Sequence, residues 1–379
     1  MTELVQFPCT ECGAQLEYAP GTSEMRCPYC GQEQVIGHGS TIVEELPLHR
    51  YLDNAAAFVS EDSEKSVRCD SCGAQFSIGS KEVNKDCPFC GSEVLTDLPP
   101  GSQISPNGLL PFKLKAVEAR TAMGTWLGSR FWAPNDLKRM ALREGQLHGM
   151  YLPFWTYDSA TTTDYTGRRG EYYYETETYT VNVNGQSQTR TRSVRRTRWY
   201  PASGSVFVAF DDVLVLATDR LQDDHAARLE SWDLQDLTTP EKGFIAGFQT
   251  MRYDVDLGTG FGRAQAKMQP AIDSAIRSDI GGDVQEIFQK RTSYDRNTFK
   301  HLLLPVWAGA YRYRQKSFRF VVNGRTGEVA GSAPVSVWKV LLAVLLGLIL
   351  VAGIAYLSQA SQNSASESPT QAEQWVPAP

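Results

Sequence analysis

The pattern of apolar and polar positions changes character along the chain. Residues 115–129 have helical spacing, and Pro134-Asn135-Asp136 has the chemistry of a helix start, predicting a further helix to about residue 143. From Tyr151 the pattern turns to strands. Asn184-Gly185, set between two β-rich runs, predicts a hairpin, and residues 205–218 read as one or two buried strands. Ala264, Met268, Ile272, Ala275 and Ile276 recur at helical spacing and predict a long helix over 262–278, which Gly281-Gly282 would end. Strands are expected again over 302–313 and 318–322, with Asn323-Gly324 as a turn. YLPFW (151–155) and LLPVW (303–307) share a motif that Leu110-Pro111-Phe112 echoes weakly. The echo suggests two similar sheet units packed together, with each proline at a strand start or edge.

One run has no polar face. Residues 340–357, from Val340 to Leu357, are 18 positions without a charge, about 27 Å of helix, enough to cross a bilayer core. Trp338 and Tyr356 stand where interfacial aromatics belong. Lys316, Arg319, Arg325 and Lys339 precede the run, and no Lys or Arg follows it. The positive-inside rule then predicts a single-pass protein of the cytoplasmic (inner) membrane, with residues 1–338 in the cytoplasm and the tail outside. The tail, 358–379, is rich in Ser, Gln, Ala and Pro and is expected to be disordered.

The cysteines add the candidate chemistry. All eight lie in the first 90 residues of a 379-residue chain, and the opening MTELVQFPC has no signal-peptide character, so thiols in a reducing compartment are expected. Cys9, Cys12, Cys27 and Cys30 recur as Cys69, Cys72, Cys87 and Cys90, an offset of 60 throughout. Gly13, Ala14 and Gln15 recur with them as Gly73, Ala74 and Gln75, and Pro28, Gly31 and Glu33 as Pro88, Gly91 and Glu93. Zinc takes four thiolates in a tetrahedron, and two CxxC knuckles joined by a hairpin supply them. A Gly follows the second cysteine of every knuckle, where positive φ is often needed. The expectation is two structural Zn2+ ions in two zinc ribbons, 1–36 and 67–97. Residues 37–66 would be a linker with one short helix, 98–335 an α+β body of mainly antiparallel strands with helices, and 336–357 the transmembrane helix. Four thiolates leave no open position, so catalytic zinc is not expected.

Charge bears on partners. The whole chain carries a formal −6. Residues 1–97 hold six Lys or Arg against sixteen Asp or Glu. A surface this acidic would repel a nucleic-acid backbone. The one basic run is Arg190, Arg192, Arg195, Arg196 and Arg198, beside Trp199. A two-residue turn at Asn184-Gly185 would pair Glu171 with Arg198, Tyr173 with Arg196, Glu177 with Arg192 and Tyr179 with Arg190, making the run one half of a solvated ion-pair ladder. A phosphate or anionic-lipid contact is the other reading of this run.

No catalytic constellation is legible. The chain lacks GxxxxGK[ST], HExxH and GxSxG. Gly258, Gly260 and Gly262 read as a loop before the long helix, and His38, His49, His148, His225 and His301 form no ligand or base pattern. The ribbons, FWAPNDLKR (131–139), YLPFWTYD (151–158), YDVDL (253–257), SDIGGD (278–283), LLPVWAGAYRY (303–313), FVVNGRTGEVAG (320–331) and the apolar run together resemble a family of bacterial membrane proteins with paired TFIIB-type zinc ribbons. Members are often labelled as like primosomal protein N′, or replication factor Y, a superfamily II helicase. That resemblance would imply a replication role, but the chain has no ATP-binding loop to support helicase activity. Relatives are also associated with phage-shock-type membrane-stress assemblies, which implies recruitment of a peripheral protein. The expectation is a non-enzymatic adaptor that brings cytoplasmic protein partners to the membrane, with a replication-related nucleic-acid binder as the alternative.

Overall fold

The computed structural model describes residues 7–37, 42–54, 59–61, 66–71, 74–77, 87, 92, 95–98, 102–137, 139, 146–183, 186–219, 226–229, 231–314 and 316–366. The chain opens with a three-stranded antiparallel sheet of β1 (Glu17–Tyr18), β2 (Glu24–Arg26) and β3 (Glu33–Val35). β4 (Leu46–Pro47), α1 (Leu48–Asp53) and β5 (Val59–Glu61) follow. Next come β6 (Ser66–Cys69), β7 (Gln75–Ser77), β8 (Leu95–Leu98), β9 (Ser102–Ile104), β10 (Gly108–Leu109) and α2 (Ala116–Gly128). β11 (Gln146–Val183) and β12 (Gln186–Leu216) form a long hairpin, and α3 (Lys242–Ile245), β13 (Gln249–Met251) and α4 (Leu257–Ile280) lead to β14 (Val284–Tyr313). β15 (Lys316–Asn323), β16 (Val329–Gly331) and α5 (Val337–Ser366) complete the described chain.

The fold is mixed α+β and mainly antiparallel. One sheet runs β16-β15-β14-β11-β13-β7-β6-β8, with β12 also on β11, and β4 and β10 on β14. β11 has 38 residues, about 125 Å at full extension before twist and bulges shorten it. It pairs with β14 from Gln146↔Ala310 to Gly170↔Val284, and with β12 from Phe154↔Leu216 to Val183↔Gln186. The sheet is therefore three-stranded as far as Gly170 and two-stranded beyond it.

Period-two burial explains how α4 sits. Thr161, Thr163 and Tyr165 are buried while Thr162, Asp164 and Thr166 are exposed. Ala264, Met268, Ile272, Ile276 and Ile280 fill the buried side from α4, beside Trp155, Tyr157, Val206 and Val208. The helix starts earlier than its periodicity predicts, at Leu257, so the glycine run expected as a loop is its first turns. Asp256 caps it, accepting from the Thr259 amide at 2.9 Å. The glycines are there for close approach: a Cβ on Gly260 would lie 2.3 Å from Tyr157 Oη. Gly281, at φ +67°, ends the helix as expected.

The shared LPxW motifs are not two units but facing strands of one sheet, with Tyr151 opposite Pro305 and Pro153 opposite Leu303. Both prolines lie inside long strands rather than at their starts. Each sits where a lateral neighbour stops: β12 pairs from Phe154 onward and β15 from Val306 onward. A missing N–H costs little at such a point. The expected helix from residue 134 falls largely outside the described residues.

Both cysteine-bearing segments are built into the body. Tyr18 of β1 packs edge-on against Phe244 at 5.2 Å and donates to the Phe112 carbonyl at 3.0 Å. β7 pairs with β13, so β6, β7 and β8 extend the main sheet, and Val67, Ala74 and Phe76 are buried in the core that holds Leu152 and Leu304. The segment between them is also attached: β4 pairs with β14, and Leu48 of α1 is buried. At the other end of the chain, residues 337–357 of α5 form a helix long and apolar enough to cross a membrane, and its apolar stretch is not buried against the body. α5 runs on to Ser366, into the segment expected to be disordered.

Candidate metal centre

Cys9 and Cys12 lie on the turn before β1, and Cys27 and Cys30 on the turn between β2 and β3. The two turns are built alike. The Cys9 amide donates to the Ala14 carbonyl at 2.6 Å and the Gly13 amide to Cys9 at 2.9 Å; the Cys27 amide donates to Gln32 at 2.8 Å and the Gly31 amide to Cys27 at 3.0 Å. Gly13 and Gly31 take φ of +72° and +79°, the left-handed conformation their positions predict.

These turns converge. The four sulfurs all lie within 4.8 Å of one another, with Cys9–Cys30 and Cys12–Cys27 each at 3.5 Å. A tetrahedron of thiolates about one ion has sulfurs about 3.8 Å apart, so the donor set fits a single metal. Cys9 and Cys27 are buried and Cys12 and Cys30 exposed. The Cys30 amide directed at its sulfur, helped by that of Tyr29, lowers the Cys27 thiol to about 6. The Gln32 amide acts the same way on Cys30, but the neighbouring sulfurs outweigh it and push that thiol up to about 12. Cys27 is thus ready to ligate as a thiolate, whereas Cys30 would need an ion to lose its proton.

In the second quartet, the Cys69 amide donates to Ala74 at 2.9 Å and the Cys87 amide to Ser92 at 2.7 Å, matching the first turns at the 60-residue offset. Cys69 and Cys87 are buried. Cys72 and Cys90 lie outside the described residues, so one four-cysteine cluster is described.

A second convergence has no signal in the sequence, because its members are far apart along the chain. Lys300, 7% exposed, reaches Asp212 at 2.9 Å, Glu45 at 3.1 Å and Asp158 at 3.8 Å. It sits where β11 carries register shifts against both neighbours, with Asp212 and Arg296 at φ of +52° and +50°. Burial works against the Lys300 charge, but Asp212, Asp158 and Glu45 outweigh it and raise its pKa. Burial pushes Asp158 up; on Glu45 the Lys300 hydrogen bond and charge overcome burial and hold it down. Lysine already supplies the cation here.

Of the five histidines, His38 and His225 lie outside the described residues. His301 is buried, its ring tilted by 39° against that of Trp155 at 4.6 Å, with Nδ1 2.8 Å from the Ile104 carbonyl. Burial lowers its pKa to about 4, so it is a neutral core side chain.

The basic run lies on the two-stranded arm, residues 171–198, beyond the end of β14. The pairing matches the expected register residue for residue, from Glu171↔Arg198 through Tyr173↔Arg196 and Glu177↔Arg192 to Tyr179↔Arg190; the turn, 184–185, lies outside the described residues. Glu177 takes both Arg192, at 2.9 Å, and Arg196, and Glu175 takes Arg196 at 3.5 Å. Glu171 turns to Arg169 instead, leaving Arg198 over the Tyr173 ring at 4.9 Å. On the opposite face Arg195 covers Tyr172 at 4.3 Å. No described side chain of the arm is buried.

The chain is similar to an uncharacterized protein, YdjG, of Bacillus subtilis strain 168, with 26% identity over 340 residues that cover 89% of this chain and 92% of that one. No family model matches the chain, and no solved structure matches it.

Proposed function

We propose that this protein is a membrane-anchored, non-enzymatic adaptor whose body is stapled by two structural zinc ions and whose arm receives a cytoplasmic protein partner. The observation that carries the reading is the arm. Thirteen residue pairs, Glu171↔Arg198 to Val183↔Gln186, project beyond the sheet and bury no core. An isolated two-stranded hairpin is marginally stable in water, so such an extension is costly to keep unless it meets something. Beyond Tyr172, whose amide donates to Asp283 at 2.6 Å, no further strand pairs with its edges among the described residues, and its arginines and tyrosines are the side chains most used at protein interfaces. The arm leaves the body at Gly170 and Val284, whereas α5 is joined through β15 and β16 at the Tyr313 end of β14. An anchored chain would hold the arm away from the bilayer.

Zinc is the metal that suits four thiolates on paired CxxC knuckles in a reducing compartment. The matching backbone bonds at Cys69 and Cys87 support a second ion held with Cys72 and Cys90. The test is a cross-linked pull-down of the full chain from native membranes, with metal content measured on the same preparation. A nuclease-insensitive protein partner, lost when residues 172–197 are excised, and two zinc ions per chain are expected. Recovery of the same partner by the excised chain would overturn the role given to the arm.

The alternative, a replication-related nucleic-acid binder, draws on the arm's arginines. The glutamates and tyrosines already paired with Arg192, Arg195, Arg196 and Arg198 weigh against it. Salt-sensitive nucleic-acid binding, lost on reversing those four charges, would favour it.

A further inference from the structure

The FWAPNDLKR segment opens with two aromatic side chains that the body does not cover. Phe131 is 74% exposed and Trp132 45%, packed edge to face at 5.1 Å on the short loop that follows α2. The segment behind them is anchored, since Leu127 and Leu137 are buried in the core. Their neighbour on the surface is the start of α5. The Ser336 amide donates to the Trp132 carbonyl at 2.7 Å, and Lys339 Nζ donates to the Phe131 and Ala133 carbonyls at 2.9 and 2.8 Å. Lys339 also lies 5.8 Å from the Phe131 ring. Trp338, 81% exposed, sits between these bonds.

We infer that this loop is a second membrane contact: Phe131 and Trp132 enter the interfacial layer of the bilayer beside α5 and fix the tilt of the body on its anchor. The inference rests on the reading of α5 as a transmembrane helix. The chemistry identifies the occupant. Aromatic side chains concentrate at the headgroup level of a bilayer, where an apolar ring and a polar edge are both satisfied. Lysine at the end of an apolar helix keeps its ammonium at that same level. Lys339 immediately precedes the uncharged run, so carbonyls bonded to its Nζ lie at the hydrocarbon boundary, and the rings they carry lie beside it. A soluble partner would have to approach within the first turn of the anchor, where lipid already stands. The three hydrogen bonds tie loop and helix together, so a body held at the helix and at the loop cannot swing freely about the linker at 332–336.

The test uses the full chain with Trp375→Phe, reconstituted into phosphatidylcholine vesicles whose acyl chains are brominated close to the glycerol, a contact quencher of tryptophan. Trp338→Phe and Trp132→Phe should each remove a quenched component of the emission, and Phe131→Trp, a conservative aromatic exchange, should add one. Loss of a quenched component with Trp338→Phe alone, with no loss from Trp132→Phe and no gain from Phe131→Trp, would overturn the loop contact and leave the transmembrane reading standing. No quenching in any variant would overturn the transmembrane reading, and this inference with it.

Discussion

At the scale of single residues, the most consequential side chain is one that sequence inspection passes over. Lys300 joins Glu45, Asp158 and Asp212 from four separate stretches, and nothing local in any of them announces the others. Removing the cation takes the charge partner from Asp158, whose carboxylate is 13% exposed and keeps only its bonds from Thr298 and the Asp212 amide, so Lys300→Met should destabilise the fold by about 1–3 kcal/mol in urea denaturation. The loss depends on pH. Burial already holds the Asp158 carboxyl above its usual range, and without Lys300 that rise is unopposed, so the folded variant binds more protons there and stability returns as pH falls toward about 4. In the parent chain Glu45 is held below its usual range, and its contribution is lost as pH falls through that same region. His301 gives a second titration. It stays neutral when folded to about pH 4, while an unfolded histidine protonates below about 6.5. Stability should fall by up to about 3 kcal/mol between those values, and following the imidazole by NMR would show it uncharged throughout the window. The candidate metal ligands, by contrast, are local. A knuckle and its glycine occupy a few adjacent positions, so Cys9, Cys12, Cys27, Cys30, Gly13 and Gly31 were all legible.

Elements were legible where one rule governed them. The register of the arm followed from a two-residue turn, because alternation leaves no freedom once the turn is set. The start of α4 was misjudged because glycine was read by propensity alone. Gly260 and Gly262 occupy the same helix in opposite surroundings. A Cβ at Gly260 would meet Tyr157 and Trp155 at 2.3 and 2.9 Å, and one at Gly262 meets nothing within 4 Å. Gly260→Ala should therefore destabilise by about 1–3 kcal/mol through overpacking, and Gly262→Ala should stabilise by up to about 1 kcal/mol; thermal unfolding of the pair checks both signs. The prolines were misplaced for a related reason, since the ends of β12 and β15 beside Pro153 and Pro305 are set by residues far along the chain. The arm is dispensable to the fold: joining Glu171 to Arg198 through Asn-Gly should change unfolding free energy by no more than about 0.5 kcal/mol.

For the whole molecule, composition and pattern gave the class, α+β with a cysteine-rich start and one apolar helix near the end. They did not give the merging of the cysteine segments with the body, because the contacts responsible join residues more than a hundred positions apart, as Tyr18 does with Phe244. Cys9 and Cys27 share a core with Phe112, Tyr151 and Trp307. Stripping metal with a chelator should therefore lower the main calorimetric transition of the body, by about 2–4 °C for each kcal/mol lost, rather than melt a separate small unit. The long hairpin has a mechanical consequence as well. Both of its strands run from the arm into the sheet, and β11 is bonded to β14 from Gln146 to Gly170. A pull applied at the tip would load the two strands in tension side by side and pass to β14 as shear over many hydrogen bonds at once, instead of unzipping them one by one. Strands paired in this way would resist a force applied between the arm and the base of the sheet.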